Sequence, residues 1–165
     1  MIDGSIQAFP LTLDRILDHA AKWHPKAEVV TAGDGGTNRR VGYALLRQRA
    51  RKISRILLDY GVLLGTRVAT LAWNSQAHVE AWYAIMGMGA VCHTLNPRLT
   101  ATQLAWMLGQ SDAKILIVSA DLLPLAMDLT ANARRLERVL VIDGDATGES
   151  PGEVAGGALD QRFER

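Results

Sequence analysis

Apolar positions in this chain recur with a helical period in some segments and fall in short unbroken runs in others, and the two kinds alternate. Tyr43–Tyr60 is the clearest helix: Leu46, Ala50, Ile53 and Leu57 share one face, and Gly61 stops it. Upstream, Thr12 is placed to cap a helix running to about Trp23, with Leu13, Ile16, Leu17, Ala20 and Ala21 inward. His24-Pro25 ends that helix, because the residue before proline avoids the α region. Between these helices, Ala27–Thr31 and Asn38–Val41 flank Asp34-Gly35-Gly36, which predicts an antiparallel hairpin.

The organising stretch is Trp73–Thr100. It reads as a strand end, a polar cap at Asn74 or Ser75, an apolar helix Gln76–Met88, a glycine exit at Gly87 and Gly89, a buried strand Ala90–Leu95, and an Asn96-Pro97 turn. With Arg67–Ala72 before it, strand-helix-strand predicts two parallel neighbours. Val79, Ala81, Trp82, Ala84, Ile85, Met86 and Met88 spread around the helix, so it is expected to be covered on more than one side. Its Trp and Met side chains read as core rather than as a cofactor site. Thr100–Gln103 has capping-box spacing for a helix to about Gln110, with Leu104, Met107 and Leu108 inward. Lys114–Ser119 and Arg138–Asp143 read as strands on either side of a helix Asp121–Arg135, whose first turn tolerates Pro124.

After residue 65 the sum is four β runs separated by three helices. That alternation predicts an α/β fold: a three-layer sandwich with a mostly parallel sheet plus a small antiparallel hairpin. From Gly144 onward large apolar residues nearly vanish, so residues 1–143 are expected to fold and 144–165 to form a flexible tail.

Composition narrows the function classes. The 165 residues are 48% apolar, which suits one domain with a real core. A net charge of +1 supplies no long-range field for nucleic acid or an anionic membrane. Cys92 is alone, so no intramolecular disulfide forms. The start lacks a signal peptide, and no apolar run approaches the ~20 residues that span a bilayer. A cytoplasmic protein with no membrane span and no nucleic-acid partner is expected. Arg47, Arg49, Arg51, Lys52 and Arg55 crowd one helix, and read as a solvated face before an anion site.

Candidate chemistry is sparse. No Walker A loop occurs, and Gly87-Met88-Gly89 follows a helix rather than a strand, which suits a tight helix exit better than a dinucleotide site. His19 with His24, and His78 with His93, do not have metal-site spacing, and one cysteine builds no thiolate site. Cys92 is expected to be an inert core thiol. His93, Thr94, Asn96 and Arg98 stand at the carboxyl end of a predicted strand, where α/β sheets bind ligands. The favoured reading of them is structural: Asn96-Pro97 makes the turn and Arg98 ties down a carbonyl or carboxylate. No catalytic, cofactor-binding or metal-ligating residue is assigned.

The run LAWNSQAHVEAWYAIMGMGAVCHTLNPRLTATQLAWML resembles the N-terminal part of AMP-forming acyl-CoA synthetases of the adenylate-forming superfamily, in the medium- and long-chain fatty-acyl-CoA ligase branch. TLDRILDHAAKWHPKAEVV, VGYALLRQRARKISRILLDYGVLLGTRVATLAWN, AKILIVSADLLPL and RVLVID fit the same resemblance, which covers nearly all of residues 10–143. It implies that the full-length parent uses ATP, Mg2+ and CoA to turn a fatty acid into acyl-AMP and then acyl-CoA. The family's phosphate loop and lysines lie downstream of the matching stretches, so these residues are expected to be an N-terminal subdomain that is inactive alone and holds no cofactor. Asn74, His93, Asn96 and Arg98 lie in matching stretches without receiving a role. Some relatives dimerise through this domain, so the resemblance also implies a homodimer as the partner to test. The competing readings are a stand-alone α/β ligand-binding module and an interaction module that pairs with a full-length ligase.

Overall fold

Alternate side chains of a β-strand point to opposite faces, and here both faces of the central strands are apolar. A computed structural model describes residues 9–33, 36–130, 133 and 135–143. Its main sheet holds β3 (Arg67–Leu71), β4 (Val91–Leu95), β5 (Ile115–Ser119) and β6 (Arg138–Ile142) in the order β4-β3-β5-β6, all parallel. Val68, Ile115, Ile117, Leu140 and Ile142 point into one core, and Ala69, Leu71, Leu116, Val118 and Val139 into the other. The first core is closed by α1 (Leu13–Trp23), α2 (Tyr43–Asp59) and α3 (Gln76–Gly87). The second is closed by α4 (Ala101–Ser111) and α5 (Leu123–Thr130). The expected three-layer α/β sandwich is therefore present. The hairpin is a separate two-stranded antiparallel sheet, β1 (Glu28–Ala32) with β2 (Asn38–Gly42). Its turn residues Asp34 and Gly35 lie outside the described residues, as does the expected tail 144–165.

Helix faces agree closely with the periodicity. On α2 the buried residues are Leu46, Ala50, Ile53 and Leu57. On α4 they are Leu104 and Leu108, and the helix starts with the expected Thr100–Gln103 capping box. Thr12 occupies the N-cap of α1 but makes no side-chain cap bond, and of the expected inward face only Leu17 is buried. The glycine exit after α3 has a steric cause. Gly89 has φ +82, a left-handed conformation that residues with a Cβ rarely adopt.

Two expectations are corrected. β4 is an edge strand, not an interior one. The crossover through α3 lays β4 on one side of β3, and α4 then carries the chain back across β3 to β5. With one strand neighbour among the described residues, Val91 is 48% exposed and Cys92 is only half-buried. Burial still pushes the Cys92 thiol up to about 11, with a hydrogen bond to Thr70 opposing. The expected helix Asp121–Arg135 is a 3-10 turn, Ala120–Leu122, followed by the shorter α5. Pro124 has no N–H to give to the Ala120 carbonyl, which instead accepts the Leu123 N–H three residues on. Thr130 Oγ1 donates back to the Met127 carbonyl at the end of α5; residues 131, 132 and 134 are outside the description.

Ile117 fills the middle of β5 with 1% exposure, whereas Trp106 on α4 is 68% exposed. Urea unfolding of Ile117→Ala is expected to show a loss of about 2–5 kcal/mol. Trp106→Ala is expected to change stability by no more than about 0.5 kcal/mol.

Candidate functional site

A strand followed by a helix on one face, beside a strand followed by a helix on the other, leaves a crevice at their carboxyl ends. β3 and β5 stand in that relation, since α3 and α5 cover opposite faces. The crevice between them is bridged by protein. The Trp73 backbone N–H donates to Ser119 Oγ at 3.3 Å, and Trp73 Nε1 donates to Asp121 Oδ2 at 2.6 Å. The open space lies on the other side of β3. There a cleft of about 690 Å³ is bounded by β1 at Val29–Thr31, by α3 with its cap, and by the end of β4 from Thr94 to Pro97.

The first turn of α3 builds the cleft floor. A helix start leaves backbone N–H groups without helical partners. Ser75 Oγ accepts the His78 N–H at 3.3 Å and donates to Asp143 Oδ2 at 2.5 Å. Gln76 N–H donates to Thr31 Oγ1 at 2.9 Å, which ties the hairpin to the helix. The cap is thus Ser75, one of the two candidates.

His78 has both ring nitrogens engaged. Nδ1 is 3.1 Å from the Trp73 carbonyl, which only accepts, so Nδ1 carries the hydrogen. Nε2, 3.0 Å from Thr70 Oγ1, then accepts from that hydroxyl. Burial lowers the His78 pKa, against the opposing Trp73 carbonyl and the Asp143 charge. The ring thus braces the start of α3 against β3.

The structure sorts the candidate residues. Thr94, Asn96 and Asn74 line the cleft; His93 and Arg98 do not. The Asn96 side-chain oxygen accepts the Arg98 N–H at 3.0 Å, which supports the turn reading. The Arg98 side chain is exposed, and among the described residues it makes no ion pair, so its expected tie is not found. His93 faces away, with Nδ1 buried and unpartnered, and burial lowers its pKa. Trp82, expected in the core, is 37% exposed and forms part of the cleft wall.

Sequence reasoning missed a buried polar cluster. Glu80 on α3 is fully buried, accepts from Gln76 Nε2, and lies 3.5 Å from Arg49 on α2. Burial raises the Glu80 pKa, while Gln76 and Arg49 oppose that rise. Arg49 is therefore not part of a solvated face. Arg47 pairs with Asp18 and Arg55 with Asp59, which leaves the solvated reading intact for the outer side of α2. The available signal was Glu80, directly after Val79 in a largely apolar helix and four residues on from Gln76. No group of metal-binding side chains occurs among the described residues, and no helix there is long and apolar enough to cross a membrane.

Comparison with known proteins adds the family. The AMP-binding enzyme family matches residues 17–161. The 3-methylmercaptopropionyl-CoA ligase of Ruegeria pomeroyi is 34% identical over 139 residues, 84% of this chain and 26% of that protein. The long-chain-fatty-acid–CoA ligase of Thermus thermophilus is 38% identical over 136 residues, 82% of this chain and 25% of that protein. A long-chain-fatty-acid-CoA ligase structure from Archaeoglobus fulgidus superposes with a TM-score of 0.75 at 21% identity, over 93% of this chain and 31% of that one, a likeness of fold. The chain spans about a quarter of the length of the curated relatives it matches.

A pKa below its ordinary value means the unfolded chain takes up the proton first. The stability that His78 contributes is therefore complete above its ordinary value of 6.5 and lost as pH falls through the lowered folded value. Urea midpoints of the parent and of His78→Asn are expected to converge as pH drops from 7.5 toward 5. Taking the difference between the two proteins cancels the separate titrations of His93 and Glu80.

Proposed function

We propose, on the premise that this chain belongs to the AMP-binding enzyme family, that it is the N-terminal part of an acyl-CoA ligase acting on a medium- or long-chain fatty acid. Membership is shown by the match over residues 17–161. In the proposed whole enzyme, ATP and Mg2+ convert the acid to acyl-AMP, and CoA then takes the acyl group. The single observation that carries the reading is the alignment with acyl-CoA ligases over most of this chain but about a quarter of theirs.

What these residues contribute is a wall. The phosphates of ATP and CoA need positioned cations and backbone donors. None of the thirteen residues lining the cleft is a lysine or arginine, so neither cofactor's phosphates fit it. Residues 9–143 then act by shape. The parallel sheet fixes the carboxyl ends of β3 and β4, and the capped start of α3 holds the hairpin over them. We further propose that residues 1–143 are one structural unit, that the 165 residues alone do not form acyl-AMP, and that any self-association runs through this unit.

Two assays test this. The 165-residue polypeptide is expected to show no ATP–pyrophosphate exchange above background with octanoate or hexadecanoate. A chimera carrying residues 10–143 in place of the matching quarter of the Thermus thermophilus long-chain ligase is expected to retain acid-dependent thioester formation within about tenfold, a margin of about 1.4 kcal/mol. Acyl-AMP made by the short polypeptide, or a folded chimera with no activity toward any acid, overturns the proposal.

A further inference from the structure

Among the described residues, five buried side-chain nitrogens and oxygens lack a hydrogen-bond partner, and three of them belong to one cluster between α2 and α3. Arg15 on α1 and His93 on β4 contribute one atom each. The other three are Arg49 Nε on α2 with Gln76 Oε1 and Glu80 Oε2 on α3. Folded proteins seldom leave a buried polar atom unpaired, because it has already given up its bulk water.

Covalent geometry brings these three atoms together. Gln76 Nε2 donates to Glu80 Oε1 at 2.5 Å, and Arg49 Nη1 stands 3.5 Å from the same oxygen. Gln76 Oε1 shares a carbon with Nε2, Glu80 Oε2 with Oε1, and Arg49 Nε with Nη1. Each open atom therefore lies one bond angle away from a contact made at Glu80 Oε1. The cluster is closed to solvent: Glu80 is wholly buried, Gln76 is 4% exposed and the Arg49 side chain 17%. Turning the Gln76 amide over does not resolve it, since that sets the amide oxygen against the carboxylate that Arg49 pairs with.

What remains open is two acceptors and one donor. A cation would suit the two oxygens but would face the Arg49 N–H and its positive charge. An anion would suit Arg49 but would face the Glu80 carboxylate, on which the negative charge of Asp143 also acts. An alcohol has a single hydrogen to share between two acceptors. Water donates two hydrogens and accepts one, and internal waters typically make about three hydrogen bonds to groups of this kind.

We infer that Arg49, Gln76 and Glu80 form the binding site of one internal water, which donates to Gln76 Oε1 and Glu80 Oε2 and accepts from Arg49 Nε. The water completes a bridge from α2 to the first turns of α3. The backbone N–H of Gln76 carries that bridge on to Thr31 of the hairpin. The site is independent of the ligase reading and stands or falls on the helix pair alone.

Magnetic resonance of the 165-residue polypeptide at pH 7 tests it. The Arg49 Hε resonance is expected to show a cross-peak to the water line. Its sign in laboratory-frame and rotating-frame spectra is expected to be that of a dipolar contact with a water held longer than the protein tumbles, and not that of hydrogen exchange. A variant combining Arg49→Met, Gln76→Leu and Glu80→Leu removes every polar partner at once, so no group is left stranded and the fold is expected to survive. In that variant the relaxation dispersion of solvent oxygen is expected to lose the amplitude of one long-lived water. Should the variant fail to fold, the Arg49 cross-peak of the parent decides alone. No dipolar contact between Arg49 Hε and water, or an unchanged dispersion amplitude in the folded variant, overturns the inference. So does a crystal structure in which Arg49 Nε bonds Glu80 Oε2 directly.

Discussion

The first turn of α3 must find partners for its backbone N–H groups, and the way it does so holds the site together. Ser75 answers from within the turn, and Thr31 reaches in from the hairpin. Asp143, at the end of β6, takes the Ser75 hydroxyl hydrogen and sits at φ 58 to do so. Three elements distant in sequence are thereby fastened at one point. A helix cap is usually worth about 1 kcal/mol of local stability. Here the same bonds also set where the hairpin stands relative to the sheet, and hence whether a cleft exists.

Below that turn α3 runs between the sheet and the α1–α2 pair, and this burial has a consequence for polarity. Ala77, Ala81, Ala84 and Ile85 suit such a position, but Gln76 and Glu80 are buried with them. The Glu80 carboxylate is kept in place by Gln76 and Arg49, yet one oxygen of Glu80, the Gln76 oxygen and Arg49 Nε remain without protein partners. Buried ion pairs seldom add net stability, because desolvation offsets the attraction. Their effect is to fix how α2 and α3 meet: sliding either helix would strand a charge. The opposite side of α3, with Trp82 and Val79, is then left to face the cleft.

The chain belongs to the AMP-binding enzyme family and spans about a quarter of its curated relatives' length. A neutral cleft and a rigid parallel sheet are what these residues bring. Phosphate handling needs concentrated positive charge. The basic residues of α2 do not supply it to the cleft, because none of them lines it.

Local pattern determined much of this protein. The buried face of α2, the capping box of α4 and the glycine exit follow from residues within a few positions of one another, and the parallel β3–β4 pair follows from the strand-helix-strand order. Side-chain period and cap chemistry act at that range. The resemblance of ordered stretches to acyl-CoA synthetases was legible for the same reason. Tertiary structure alone decided that β4 is an edge, because strand order depends on which way each crossover turns and not on the strand's composition. It also decided that Glu80 and Arg49 meet, thirty-one positions apart, inside a helix pair read as apolar and solvated respectively. And it placed Thr94, Asn74 and Asn96 on one cleft and left His93 and Arg98 off it, since which end of β4 borders α3 and the hairpin is set by packing between elements distant in sequence.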